Sequence, residues 1–78
     1  LTTYFILITV KAGTDARVME RLEKESAVKE VYEIYGAYDI LAIADTNSFD
    51  EIKKIQTGLE KFNYVWTVQV EKAEKAKA

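Results

Sequence analysis

The residues whose types and spacing suit ligand chemistry sit in one short run, Tyr35-Gly36-Ala37-Tyr38-Asp39. Glycine takes positive φ at little steric cost, so backbone N–H groups around Gly36 can turn outward toward an anion. Asp39 places a carboxylate at the mouth of the strand that follows. Later in the chain, Thr67 and Gln69 alternate with Trp66, Val68 and Val70, so one face of that strand is polar. Together these groups suit a small zwitterion, with loop amides on its carboxylate and Asp39 or Thr67 on its ammonium group. A plainer reading needs no ligand: Gly36 makes the turn, Tyr38 packs and Asp39 caps loop amides. Alone, the run favours that plainer reading; the polar face of the last strand is what argues for a site.

Other chemistries are excluded by what the chain lacks. It contains no His and no Cys, which removes the usual general base, the commonest metal ligand, thiol nucleophiles and disulfides. No cofactor or metal is implied. No two carboxylates share an apolar setting as an acid/base pair would. Glu20 with Lys24 and Asp50 with Lys54 stand at i, i+4 spacing and read as solvated ion pairs. Neither a phosphate-binding loop nor a dinucleotide fingerprint occurs. A net charge of -2 with mixed signs gives no electrostatic footprint for nucleic acid. No run approaches the ~18 apolar residues of a membrane span, and no signal-peptide pattern opens the chain. The expectation is a cytoplasmic protein that touches neither membrane nor nucleic acid directly. Absence of proline and richness in Lys and Glu point weakly to a thermophilic source. Because the chain opens on Leu1, it reads as an excised domain or the product of an unusual start codon.

The elements that position these residues follow from periodicity. Residues 3–10 form a strand dense in β-branched and aromatic side chains, with Tyr4, Ile6, Ile8 and Val10 opposite Phe5, Leu7 and Thr9. Residues 15–26 form a helix capped by Thr14 or Asp15, whose narrow apolar stripe is Val18, Met19 and Leu22. Residues 27–35 form a second strand, with Val28, Tyr32 and Ile34 on one face and Val31 and Tyr35 on the other. A third strand spans 38–45, where small Ala42 and Ala44 leave room for a close neighbour. Ser48 and Glu51 have the spacing of a capping box, and Ile52, Ile55, Leu59 and Phe62 mark the helix to residue 62. Gly58 within it suggests close packing. The last strand spans 64–71, with Tyr64, Trp66, Val68 and Val70 opposite Val65, Thr67 and Gln69. Residues 72–78 form a charged tail.

The order is β-α-β-β-α-β, a ferredoxin-like α+β sandwich: a four-stranded antiparallel sheet with both helices on one face. The other face keeps apolar side chains from every strand, more than a lone soluble chain of 78 residues exposes as one patch. That face is therefore expected to be an interface, most simply of a homodimer.

From Tyr4 to about Val70 the chain resembles the effector (RAM) domain of the Lrp/AsnC family. The matching features are the first strand leading to Gly13, then Val18 and Leu22, then Val28 and Val31. The run Gly36-x-Tyr38-Asp39-Ile40-Leu41 follows, and a capped helix leads to Val65-x-Thr67. The resemblance implies a dimer through the sheets, dimers assembled into a ring, and an amino-acid effector bound between subunits near the Gly-x-Tyr-Asp loop. Carried onto this chain, the binding residues are Tyr35, Gly36, Ala37, Tyr38, Asp39, Thr67 and Gln69. Ala37 stands where a polar or acidic residue is usual, and Gln69 where a second Thr often stands. The helix-turn-helix domain that ordinarily precedes such a domain has no counterpart in these residues. The expectation is a stand-alone effector module over residues 1–71 that acts on full-length Lrp/AsnC regulators without DNA binding of its own. Two other readings stay open: a dimeric α+β barrel enzyme with a deep cavity in each protomer, and a structural oligomerisation module with an empty site.

Overall fold

A computed structural model describes residues 1–77. Its elements are β1 (Thr2–Val10), α1 (Asp15–Glu23), β2 (Val28–Glu33), β3 (Ile40–Thr46), α2 (Phe49–Glu60) and β4 (Val65–Ala73). The sheet order is β2-β3-β1-β4 and every neighbouring pair is antiparallel. This is the ferredoxin-like α+β sandwich the element order predicts.

Alternation along β1 separates the two faces. Tyr4, Ile6, Ile8 and Val10 are buried toward the helices, while Phe5, Leu7 and Thr9 face away from them. Ala42 and Ala44 are fully buried on the same inner face. Val18 and Leu22 of α1 and Ile52, Ile55 and Leu59 of α2 complete the core. The space between helices and sheet is thus packed with aliphatic side chains.

Two irregularities re-phase the outer strands against the expected alternation. Pairing in β2 slips between Val28 and Glu30, so Val28 opposes Ala44 and Val31 opposes Ala42. Both valines therefore share the inner face, where strict alternation from Val28 separates them; one additional residue, Lys29, inverts the phase. In β4, Val65 opposes Val10 while Thr67 opposes Thr9, which leaves Trp66 as the additional residue. Val65 is consequently buried with Val68, and Trp66 is 66% exposed, the reverse of the expected faces. Beyond the exposed Trp66, the β4 residues in register on the outer face are Thr67, Gln69, Glu71 and Ala73, so the larger paired apolar side chains there come from β1, β2 and β3.

Element ends also differ. β4 continues to Ala73 because β1 starts at Thr2 and supplies partners: Tyr4 for Lys72 and Thr3 for Ala73. The expected boundary at residue 71 thus falls inside a strand, and Ala78 lies outside the described residues. Both helices stop earlier than their apolar spacing suggests, giving way to tight turns in which Glu25 N–H donates to Leu22 O and Phe62 N–H to Leu59 O. The capping box forms by half. Ser48 Oγ accepts from Glu51 N–H at 3.3 Å, but the Glu51 carboxylate accepts instead from the Thr46 hydroxyl at 2.6 Å. A Cβ on Gly58 would meet only Arg21 Nη2, at 3.6 Å, an ordinary contact with a flexible side chain. Close backbone packing therefore does not require Gly58. Among the described residues the ion pairs are Arg21–Glu25 and Lys24–Glu20; Asp50 and Lys54 do not pair.

Candidate functional site

The loop between β2 and β3 is held by main-chain bonds at its base. Ile34 N–H donates to Asp39 O at 2.9 Å, and Asp39 N–H donates to Ile8 O at 2.9 Å. The Asp39 carboxylate then reaches β1, where Oδ2 accepts from Val10 N–H at 2.8 Å. Asp39 thereby replaces a carbonyl at the end of the β1–β3 ladder. Above this clamp Gly36 takes φ 124°, a conformation that L side chains rarely adopt. Nothing lies within 4 Å of a Cβ built there, so the glycine is required by the backbone and not by space. Among the described residues, the N–H groups of Tyr35, Gly36, Ala37 and Tyr38 have no hydrogen-bond partner. Tyr35 is 90% exposed at the tip.

Beside the loop, polar side chains run along the β4 edge of the outer sheet face. The Tyr38 hydroxyl donates to Gln69 Oε1 at 2.8 Å, and Gln69 Nε2 donates to Glu71 Oε2 at 2.6 Å. The hydroxyls of Thr9 and Thr67 share a hydrogen bond at 2.5 Å. The structure therefore joins Tyr38 to Gln69 directly, and joins Thr67 to Asp39 only through Thr9 and the neighbouring Val10 N–H. Tyr35, Gly36 and Ala37 contribute main chain at the tip. Sequence reasoning left out Thr9 and Glu71. Both were signalled: Thr9 breaks the apolar face of Phe5 and Leu7, and Glu71 stands two residues beyond Gln69.

This arrangement is an open surface in one chain. Two surface hollows, of about 310 and 380 Å³, lie elsewhere, one beside Leu1–Thr3 and residues 72–75, the other among Lys11, Thr14, Arg17, Asn63 and Tyr64. Neither reaches between helices and sheet, where a barrel enzyme would hold its cavity. Donors in the loop, hydroxyls and amides on the sheet and one clamping carboxylate can bind a small polar molecule, but a second wall is needed to enclose it.

Asp39 has two roles that substitution separates. Asp39→Ala removes the acceptor for Val10 N–H and should cost about 1–3 kcal/mol of stability. Asp39→Asn keeps an acceptor oxygen and removes the charge, so its denaturation midpoint should stay near wild type. Loss of stability equal to that of alanine would show that the clamp itself depends on the charge.

Fold and surface define a class: a small ferredoxin-like α+β domain with a glycine-bearing loop beside a polar patch on an uncovered sheet face. No family model matches the chain. Forty-eight residues, 62% of the chain, are 44% identical to the HTH-type transcriptional regulator FL11 of Pyrococcus abyssi. The matched stretch is 32% of that protein, so the chain corresponds to only part of it. The crystal structure of FFRP-DM1 superposes with a TM-score of 0.82 at 29% identity, covering 95% of this chain and 100% of that one. Escherichia coli AsnC superposes at 0.79 with 19% identity over 99% of this chain and 53% of its own. The regulator NMB0573 of Neisseria meningitidis, solved as a complex with L-Met, superposes at 0.73 with 19% identity, over 95% of this chain and 50% of its own. The two likenesses at 19% bear on fold alone. Beyond the fold, the chain is similar to part of the HTH-type transcriptional regulator FL11 and, over nearly its whole length, to FFRP-DM1.

Proposed function

We propose that this domain binds a free amino acid at the loop of residues 35–39 and converts that binding into a change of assembly. The observation that carries the reading is the loop itself, four successive N–H groups without partners among the described residues, beside the Tyr38–Gln69–Glu71 chain of hydrogen bonds. Such amides suit a carboxylate, and the free Asp39 oxygen or the Thr67 hydroxyl suits an ammonium group. The second wall comes from another subunit. The chain assembles through the outer sheet face, as a homodimer, in higher rings, or mixed with full-length Lrp/AsnC regulators. The L-Met complex of the structural neighbour NMB0573 supports an amino acid as the ligand class.

The mechanism requires only differential affinity. An amino acid that bridges two subunits binds the assembled state better and shifts the population toward it. Within such regulators the module would change DNA affinity through assembly, with no nucleic-acid contact of its own. Titration calorimetry against each of the common amino acids should give saturable heat for at least one, weakened about tenfold or more by Asp39→Asn. No heat from any of them would end the amino-acid reading. Heat that is unchanged in Asp39→Asn would remove this carboxylate from the site.

A further inference from the structure

One residue beyond the Val10 clamp, two connections of the fold meet and enclose a basic hollow. Residues 11–14 lead from β1 into α1, with Gly13 at φ 87°, and Asn63 and Tyr64 lead from α2 into β4. The connections are joined where Lys11 N–H donates to Tyr64 O at 2.8 Å. Between them lies the hollow of about 380 Å³, within the roughly 300–1,000 Å³ of small-molecule sites. Lys11 and Arg17 line it, and no carboxylate does. Asp15 stands between them in sequence. Two residues along α1 are a rotation of about 200°, which turns Asp15 away from the Arg17 side of the helix.

The cations are placed by contacts that leave their donors free. The guanidinium carbon of Arg17 lies 5.6 Å from the centroid of the Tyr64 ring. Phe62 stacks on the same ring at 5.2 Å, with 19° between the planes. A guanidinium held over a ring keeps its N–H groups for another partner, as one held by a carboxylate does not. The ion pairs among the described residues use Arg21 and Lys24, not Arg17 or Lys11. The side-chain groups of Lys11, Arg17, Asn63 and Tyr64 likewise have no hydrogen-bond partner among the described residues. All four can donate. The base beneath them is fixed, because Lys11 O accepts from Thr14 Oγ1 at 2.7 Å and from Thr14 N–H at 3.1 Å.

Two cations and two neutral donors, with no acid among them, suit an oxyanion. The fork of Arg17 can take two of its oxygens at once, and Lys11 adds a second positive charge. A phosphoryl group carries the charge and the oxygens to use both. With Phe62 stacked on Tyr64 and Arg17 over the ring, no face of that ring is left for a nucleobase. We propose that this hollow binds a phosphoryl dianion, free or as a compact ester, through Lys11 and Arg17. It uses none of the residues of the amino-acid site and does not depend on that reading.

Titration of the isotope-labelled domain with sodium phosphate, followed by amide chemical shifts, tests the site against sodium chloride at matched ionic strength. Phosphate should move the amides of residues 11–17 and 63–64 along a saturating curve, and chloride should not. Lys11 and Arg17 are exposed, so neutralising either leaves the fold intact, as circular dichroism should show. Lys11→Gln and Arg17→Gln should each weaken binding about tenfold. Arg17→Lys keeps the charge without the fork, and its affinity should fall between wild type and Arg17→Gln. Lys24→Gln removes an equal charge at the far end of α1 and should leave phosphate binding unchanged. Glycerol 3-phosphate, titrated in parallel, separates the two sources: tighter binding than phosphate assigns an ester, and equal or weaker binding assigns the free anion. Shifts that chloride reproduces, a response that does not saturate, or a loss in Lys24→Gln as large as in Lys11→Gln would overturn the site.

Discussion

Ile8→Ala should lower the stability of this domain by about 3 kcal/mol, read as a fall in the urea midpoint at unchanged slope. Ile8 is fully buried at the centre of the sheet, opposite Ile40 on one side and Val68 on the other. Truncation removes transfer energy and leaves a cavity under both helices, and a domain this small has only about 5–10 kcal/mol to lose. The effect reaches the loop as well, because the carbonyl of Ile8 accepts the Asp39 N–H. Ile43→Ala is the matching control. It deletes the same atoms from an adjacent strand but on the uncovered face, and should cost well under half as much in the isolated chain. Equal costs would mean that the outer face is already covered under the conditions used.

Leu41→Glu should abolish sheet-face association while leaving the monomer folded. Leu41 sits mid-stripe, opposite Leu7 on β1 and Tyr32 on β2, and is half-buried by them in the single chain. A glutamate there can turn its carboxylate to water in the monomer. In a face-to-face pair it must be buried without a cation, which costs several kcal/mol per copy and more than a hundredfold in affinity. Circular dichroism should show native helix and strand content, and sedimentation should show loss of the associated species. Association that survives the substitution would place the interface elsewhere on the molecule.

The element order was legible because each boundary has a local cause: Gly13 and Gly36 at turns, Ser48 at a cap, and apolar residues at spacings of two or of three and four. The inner face of β1 follows from alternation alone. The faces of β2 and β4 do not, because a bulge is a property of pairing between strands, and nothing in Lys29 or Trp66 announces that either is unpaired. That single uncertainty moved Val31, Val65 and Trp66 to the wrong faces. At the candidate site, the special conformation of Gly36 and the neighbourhood of Tyr38 and Gln69 are consistent with local residue type and strand register. The role of Asp39 in binding Val10 was hidden, since a carboxylate that caps a strand end and one that awaits a ligand are written with the same residue. Its second oxygen is where the two roles meet.

The most direct measurement is the mean mass of the domain by sedimentation equilibrium, with and without a pool of the common amino acids, at one protein concentration and low salt. Amino-acid-linked assembly predicts a shift in mass on adding the pool, absent in Leu41→Glu. A mass that is the same with and without the pool, across the concentration range in which the chain associates, would contradict it.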